Sequence, residues 1–344
     1  MGISDINNTL KKHSPGCFIK IPLKNFKGKA IGIDASLWAY KAKSSAMKDV
    51  VSKFKSLDEI PDPSILLSLM KKQFIGFIDK LTMFDITPVW IFDGKTHPAK
   101  LAVDIRKKSK NKQKKSLEEQ RIEIMKLDIL EQEKLMPKFI STLISCSPPT
   151  RDEINMLKEN ADNLGLPNFT APYDAEIYAS KLCEKNFLSA VWTTDTDTYA
   201  SGATITITGF SGKSSEEGVL VDAVLKYNIL KELDITHDEF IDICILHGCD
   251  FNQRSKGFGP VSVMNKLKEY DWNLDKLMEN NDKINWENLN IKQCREIFRG
   301  VDLDISNFTI EDFHINEEKW KSYVTKIELF KLNLPIKSTI QTFE

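Results

Sequence analysis

Three short apolar runs in this chain lead straight into an aspartate: AIGID at 30–34, PVWIFD at 88–93 and AVWTTD at 190–195. Apolar strands without polar alternation are buried on both faces, the condition of parallel strands covered by helices. The pattern therefore predicts an α/β fold with a mostly parallel central sheet flanked by helices. In an open sheet of this kind ligands bind in the crevice beyond the carboxyl ends of the strands. Asp34, Asp93 and Asp195 are expected to point into one such cleft. Four further acids belong with them. Asp174 and Glu176 follow Pro172 at an expected helix start, Asp197 shares a Thr-Asp-Thr-Asp turn with Asp195, and Asp250 closes ILHGCD. Taken singly, each has an ordinary explanation, because helix starts and turns favour acids anyway. Seven carboxylates converging on one cleft would need cations. Hard oxygen ligands with no partnering His or Cys suit Mg²⁺ or Mn²⁺, and seven exceed what one octahedral ion can use. Two ions are the natural reading, and an ion pair about 3.5–4 Å apart serves in-line phosphoryl displacement. The predicted chemistry is phosphodiester hydrolysis.

Composition restricts the setting more than the chemistry. With 344 residues, 41% hydrophobic and 28% charged, the chain fits one large domain or two closely joined ones. The formal net charge of -1 means that any attraction to phosphates must be local. Six cysteines form no C-x-x-C pair and five histidines lack metal-ligand spacing, which argues against a zinc site. No long apolar stretch or signal peptide is evident, so a soluble intracellular protein, acting without a membrane, is expected.

The local charge is uneven. Residues 100–121 carry nine Lys or Arg against three acids, and RKKSKNKQKK at 106–115 holds seven basic residues and no acid. Alone, this stripe reads as readily as a solvated charged helix or a nuclear localisation run as it does as a substrate grip. Beginning just after Asp93, it would rise from the edge of the acid cleft, which favours gripping a substrate. Around it the spacing predicts a helix from Asp34 through Tyr40, another over 65–84, and a right-handed crossover into the strand at 88–93. A charged helical excursion runs on to about 141, followed by a helix at 152–164. ATITITGF and VLVD then flank a hairpin turn, and a helix at 237–248 delivers Asp250. Gly257 and Gly259 separate two helical segments, flanked by Arg254, Lys256, Lys266 and Lys268. That turn is either a plain glycine-capped connection or a backbone amide site for a phosphate. From 270 to 330 the pattern is of packing helices, with Trp272, Trp286 and Trp320 expected in core or interface positions.

An ordered series of motifs resembles the flap endonuclease family of the structure-specific 5′-nuclease superfamily, the XPG-like nucleases. It comprises Met-Gly-Ile at the start, IDAS with Asp34, FDGK with Asp93, LGLPNFTAPYDAE, TTDTD, CILHGCDF and GFGP, across about residues 1–270. The resemblance implies that Asp34, Asp93, Asp174, Glu176, Asp195, Asp197 and Asp250 hold two Mg²⁺ ions. It implies that Tyr40 stacks on a nucleotide, that Lys100 and one of Arg106 or Lys107 reach the scissile phosphate from a helical arch, and that Gly2 lies near the site. The turn at 257–259 resembles a helix-two-turn-helix element, which grips duplex backbone and binds K⁺. The implied division is a nuclease region at 1–99, the arch and its connection at 100–150, a second nuclease region with the helix-two-turn-helix at 151–270, packing helices at 271–330 and a tail at 331–344. In KSTIQTFE, Ile340 and Phe343 fall at the anchor spacing of a sliding-clamp peptide, though a frayed end fits as well. Departures are Asp174 where relatives carry Glu, the order Arg106-Lys107, Val261 and Ser262 after Gly-Pro, and Lys337 and Glu344 in the tail.

The expected activity is cutting of a 5′ single-stranded flap near its junction with duplex, in DNA replication and repair, by a monomer in the nucleus or another replication compartment. A 5′ to 3′ exonuclease or a junction resolvase would share the site. A DNA-binding scaffold that has lost its metals is the reading from another class.

Overall fold

The computed structural model describes residues 2–54, 59, 61–100, 116–212, 218–254, 258–281, 284, 286 and 289–332. Seven strands form one sheet in the order β1-β7-β6-β5-β2-β3-β4. They are β1 (Phe18–Pro22), β2 (Ala30–Asp34), β3 (Thr87–Phe92), β4 (Asn168–Thr170), β5 (Ala190–Trp192), β6 (Ile205–Phe210) and β7 (Leu220–Leu225). The β6-β5-β2-β3-β4 stretch is parallel, and β7 and β1 close one edge antiparallel. From β2 the chain builds outward through β3 and β4, then returns to add β5 and β6 on the other side. The strand order therefore reverses between β2 and β5, which opens the crevice at their carboxyl ends.

The helices are α1 (Ile6–His13), α2 (Ala35–Val51), α3 (Pro63–Thr82), α4 (Ile129–Ser145), α5 (Arg151–Leu164), α6 (Ala175–Glu184), the short α7 (Asp197–Ala200), α8 (Lys226–Leu233), α9 (His237–His247), α10 (Pro260–Glu269), α11 (Leu274–Glu279), α12 (Ile291–Arg299) and α13 (Glu317–Leu332). Strand alternation divides the core. Ile33, Trp90 and Trp192 face α2, α3 and α5, whereas Val89, Ile91 and Val191 face α6. A third core joins α1 to the helical lobe of α8 to α12. Trp272 and Trp286 pack on that lobe and Trp320 on the α2–α3 face, so all three are packing residues.

Two expected bounds shift, and one segment is held differently than expected. The helix after Asp34 continues to Val51 rather than ending near Tyr40, carried by a buried stripe of Ala39, Ala42, Ala46 and Met47. β5 stops at Trp192, three residues short of Asp195, because Thr193 and Asp195 turn inward on a bond between the Asp195 N–H and Thr193 Oγ1 at 3.0 Å. The excursion after residue 116 returns to the body more firmly than its weak periodicity implied. Buried Lys43 on α2 bonds Glu153 at 2.8 Å and the Pro148 carbonyl at 3.1 Å, which clamps the α4–α5 connection to α2.

Candidate metal centre

Each acid is held by the element that ends or starts at it. Asp34 terminates β2 and caps α2. One carboxylate oxygen accepts from the Leu37 N–H at 3.0 Å, and the other accepts from Thr193 Oγ1 at 2.8 Å across the β2–β5 reversal. Asp93 follows β3 and accepts from the Ala175 N–H at the start of α6, at 2.9 Å. Gly94 allows that approach, since a Cβ there would lie 1.9 Å from the Ala171 carbonyl oxygen. Asp174 stands at the N-cap position of α6 without a side-chain cap bond, Glu176 sits in its first turn, and Asp195 accepts from the Asp197 N–H at 3.2 Å. Asp250 follows the end of α9.

The acids assemble into two triads, Asp93–Asp174–Glu176 and Glu176–Asp195–Asp197, in each of which one ligand oxygen per residue lies within 4.8 Å of the others. Glu176 is their common member. Asp34 and Asp250 flank the triads, only 4% and 7% exposed. Oδ2 of Asp174 and Oδ1 of Asp197 are buried without a hydrogen-bond partner among the described residues, each an acceptor available to a cation. Burial and then the charge of Asp93 push the Asp34 carboxyl up to about 7. Burial, then Asp195, Asp34 and Asp174, hold Glu176 well above the carboxylate range, and burial and Asp195 do the same to Asp197. This is a charge set built to be neutralised from outside, and its all-oxygen donors fit a pair of hard divalent cations.

Lys100 supplies the internal counter-charge. Its ammonium bonds Asp174 at 2.5 Å and lies 3.6 Å from Asp250. Burial works against its charge, yet Asp174, Glu176 and Asp250 raise its pKa above the ordinary lysine value. Gly2 packs against the same acids: a Cβ there would fall 2.1 Å from Asp195 Oδ1, and its φ of +85 also asks for glycine. Thr193, which orients Asp34, and Gly94 were not singled out from the sequence, although both stand inside the TTDTD and FDGK runs.

The expected DNA-contacting residues scatter. Tyr40, half-buried on α2, bonds the Ser145 carbonyl at 3.5 Å, where α4 ends. Arg254 turns inward, donating from Nε to the His247 carbonyl at 2.9 Å and from Nη2 to Asp5 at 2.7 Å. Lys266 lies over the Phe258 ring at 4.9 Å, and Lys268 is exposed on the same helix, α10. Gly259 is an extended cap of α10 with φ -75, which any residue adopts. Arg106, Lys107, Lys256, Gly257, Ile340 and Phe343 lie outside the described residues. Among the described residues no helix is long and apolar enough to cross a membrane.

A family profile described as XPG N-terminal domain matches residues 1–115, and one described as XPG I-region matches residues 165–250. Flap endonuclease 1-2 of Paramecium tetraurelia is 28% identical over 294 residues, covering 83% of this chain and 69% of the relative. Flap endonuclease 1 of Entamoeba histolytica is 28% identical over 326 residues, covering 94% and 82%. Among solved structures, flap endonuclease-1 from Methanococcus jannaschii superposes with a TM-score of 0.56 at 20% identity, covering 90% of each chain. Human GEN1 in complex with Holliday junction DNA gives 0.57 at 19%, covering 97% of this chain and 74% of that one. At such identities the solved structures establish the fold.

Proposed function

The chain belongs to the XPG family of nucleases, and from that membership we propose that it is a structure-specific 5′ flap endonuclease of DNA replication and repair. The observation that carries the mechanism is the pair of carboxylate triads joined at Glu176. Asp93, Asp174 and Glu176 would hold one Mg²⁺ and Glu176, Asp195 and Asp197 the other, with Asp34 and Asp250 as flanking acceptors, directly or through water. Mn²⁺ would fit the same oxygens. Bound there, the ions supply an activated water and charge balance for the attacking and leaving oxygens of phosphodiester hydrolysis.

The chain's own residues do the rest. Thr193 and the Leu37 N–H hold Asp34 in one rotamer, so that carboxylate is set before substrate arrives. Lys100, which pairs with Asp174 and Asp250 in the folded chain, would be the ammonium placed to meet the developing charge on the scissile phosphate. The chain leaves Lys100 directly into the basic run, whose Arg106 or Lys107 would make a second phosphate contact. Tyr40 would stack on a nucleotide at the cut. Gly2, Lys266 and Lys268 would touch backbone, with Lys256, Gly257 and Gly259 forming the turn that takes duplex and K⁺. The partner is branched DNA with a 5′ flap, met by a monomer in the nucleus or another replication compartment, and Ile340 and Phe343 would anchor a sliding clamp.

Cleavage of a 5′-labelled double-flap DNA, with Mg²⁺ and with EDTA, resolved to the nucleotide, tests this. A single Mg²⁺-dependent cut at the flap base is expected. A ladder of mononucleotides would instead identify an exonuclease, and preference for a four-way junction a resolvase. Binding without any cleavage would overturn the nuclease mechanism.

A further inference from the structure

Beside the crevice, α2, α3 and β6 enclose a groove of about 460 Å³, within the size range of small-ligand sites. Two helical stripes face it: Trp38, Lys41, Ala42 and Ser45 on α2, and Gln73, Gly76, Phe77 and Lys80 on α3. β6 adds Gly209 and Phe210, at a point where its register with β7 shifts between Ile207 and Gly209. Phe77 and Trp192 form an apolar floor, their rings 5.1 Å apart. Half-buried Trp38 and Phe210 stand as walls on either side of Phe77, at 5.8 and 6.0 Å. The cations line the rim. Lys80 lies over the Phe210 ring at 4.3 Å, and Lys41 bonds the Thr208 carbonyl at 3.3 Å.

Two glycines show that the space is kept open. Glycine weakens the interior of a helix or strand, and it persists there where something must approach closely. Gly76 sits inside α3 and Gly209 inside β6, and a Cβ on either would meet nothing within 4 Å. Neither has a left-handed φ. Both open onto this one groove. The groove borders the acids in the fold: Asp34 caps α2, which brings Trp38 round one turn later, and Trp192 at the end of β5 pairs with Ile33, the neighbour of Asp34 on β2.

We infer that this groove docks one unpaired nucleobase of the DNA substrate, stacked against the Trp38 and Phe210 rings with its flanking phosphates on Lys41 and Lys80. The inference rests on the proposed nuclease reading. Aromatic faces accept any base, and the paired lysines supply the complementary charge for the phosphates on either side of it. The groove therefore holds a nucleotide next to the bond being cut without reading its identity.

The test uses double-flap DNA carrying 2-aminopurine at one position at a time through the flap and the junction, bound in EDTA so that nothing is cut. With the wild-type chain, emission is quenched at one position by stacking. Gly76→Leu and Gly209→Leu fill the groove without touching the acids. Both are expected to restore emission at that position and to raise the dissociation constant about tenfold, with unchanged circular dichroism. Unaltered quenching and affinity in both variants would overturn the inference while leaving flap cleavage by the wild type untouched. Position-specific quenching relieved by both variants, in a wild-type chain that fails to cut flaps with Mg²⁺, would uphold the groove and remove the nuclease reading instead.

Discussion

The acid crevice and the turn after α9 are neighbours in sequence, His247 and Asp250 being three residues apart, and they handle charge in opposite ways. In the crevice like charges are pressed together, two buried oxygens have no partner among the described residues, and one lysine offsets several acids. In the turn opposite charges are already matched: Arg254 holds Asp5 and the His247 carbonyl, and the His247 ring spans Ser4 and Thr9. The first region keeps buried acceptors that no group among the described residues fills; the second is matched as folded. Arg254, which its sequence position suggests is a DNA contact, thus spends its hydrogen bonds on tying residues 4–9 to α9.

The contrast can be broken first at its strongest point. Glu176→Gln removes the member shared by both triads, so cleavage of flap DNA is expected to fall at least about a thousandfold while flap binding in EDTA stays within about twofold. Because the variant also deletes a buried charge among like charges, the metal-free protein should melt no lower than the wild type. Retained turnover would mean that the triads do not form one centre. A smaller effect separates Arg254 from Lys266. Arg254→Ala should cost about 1 kcal/mol, chiefly the half-buried bond to the His247 carbonyl, visible as a lower melting temperature with the salt dependence of DNA binding unchanged. Lys266→Ala should do the reverse, leaving the melt alone and reducing the salt slope. If Arg254→Ala flattens the salt slope instead, the turn is a binding surface after all.

A third effect is expected in acid. Burial lowers both His247 and His237 to about 4. A histidine depressed in the fold binds its proton first in the unfolded chain, so its stabilisation is full above about 6.5 and is lost as pH falls towards 4. The buried crevice acids, whose pKa values are raised, gain stability over the same range, so the histidine is read as a difference: between pH 7 and 4.5 the wild type should lose stability relative to His247→Gln in thermal melts. An identical pH dependence in the two proteins would show that His247 does not titrate in this range.

The acids were legible because residue type and strand-end position coincide, and a sheet has only one end at which crossover loops converge. The reversal between β2 and β5 follows from pairing order, which no local run reveals. β1 is a half-buried edge strand without strong alternation, and α1 starts from Asp5 in a left-handed conformation with no side-chain cap, so neither announced itself. The partners of Arg254 were out of reach for a simpler reason: Asp5 lies 249 residues away.

That separation has a consequence for how the molecule is made. Ser4 donates to the Gly248 carbonyl at 2.9 Å, Thr196 Oγ1 reaches the Ile3 carbonyl at 3.3 Å, and Gly2 rests on Asp195. Residues 2–9 are synthesised well before α9 and Asp250 and find their seats only once those exist. At about 5–20 residues per second the ribosome needs roughly 12 to 50 seconds to cover that interval. Throughout it the nascent chain lacks one of its acids and the segment that packs against them. The acid crevice of a growing copy is therefore incomplete until residues 248–250 emerge, and it closes in one late step.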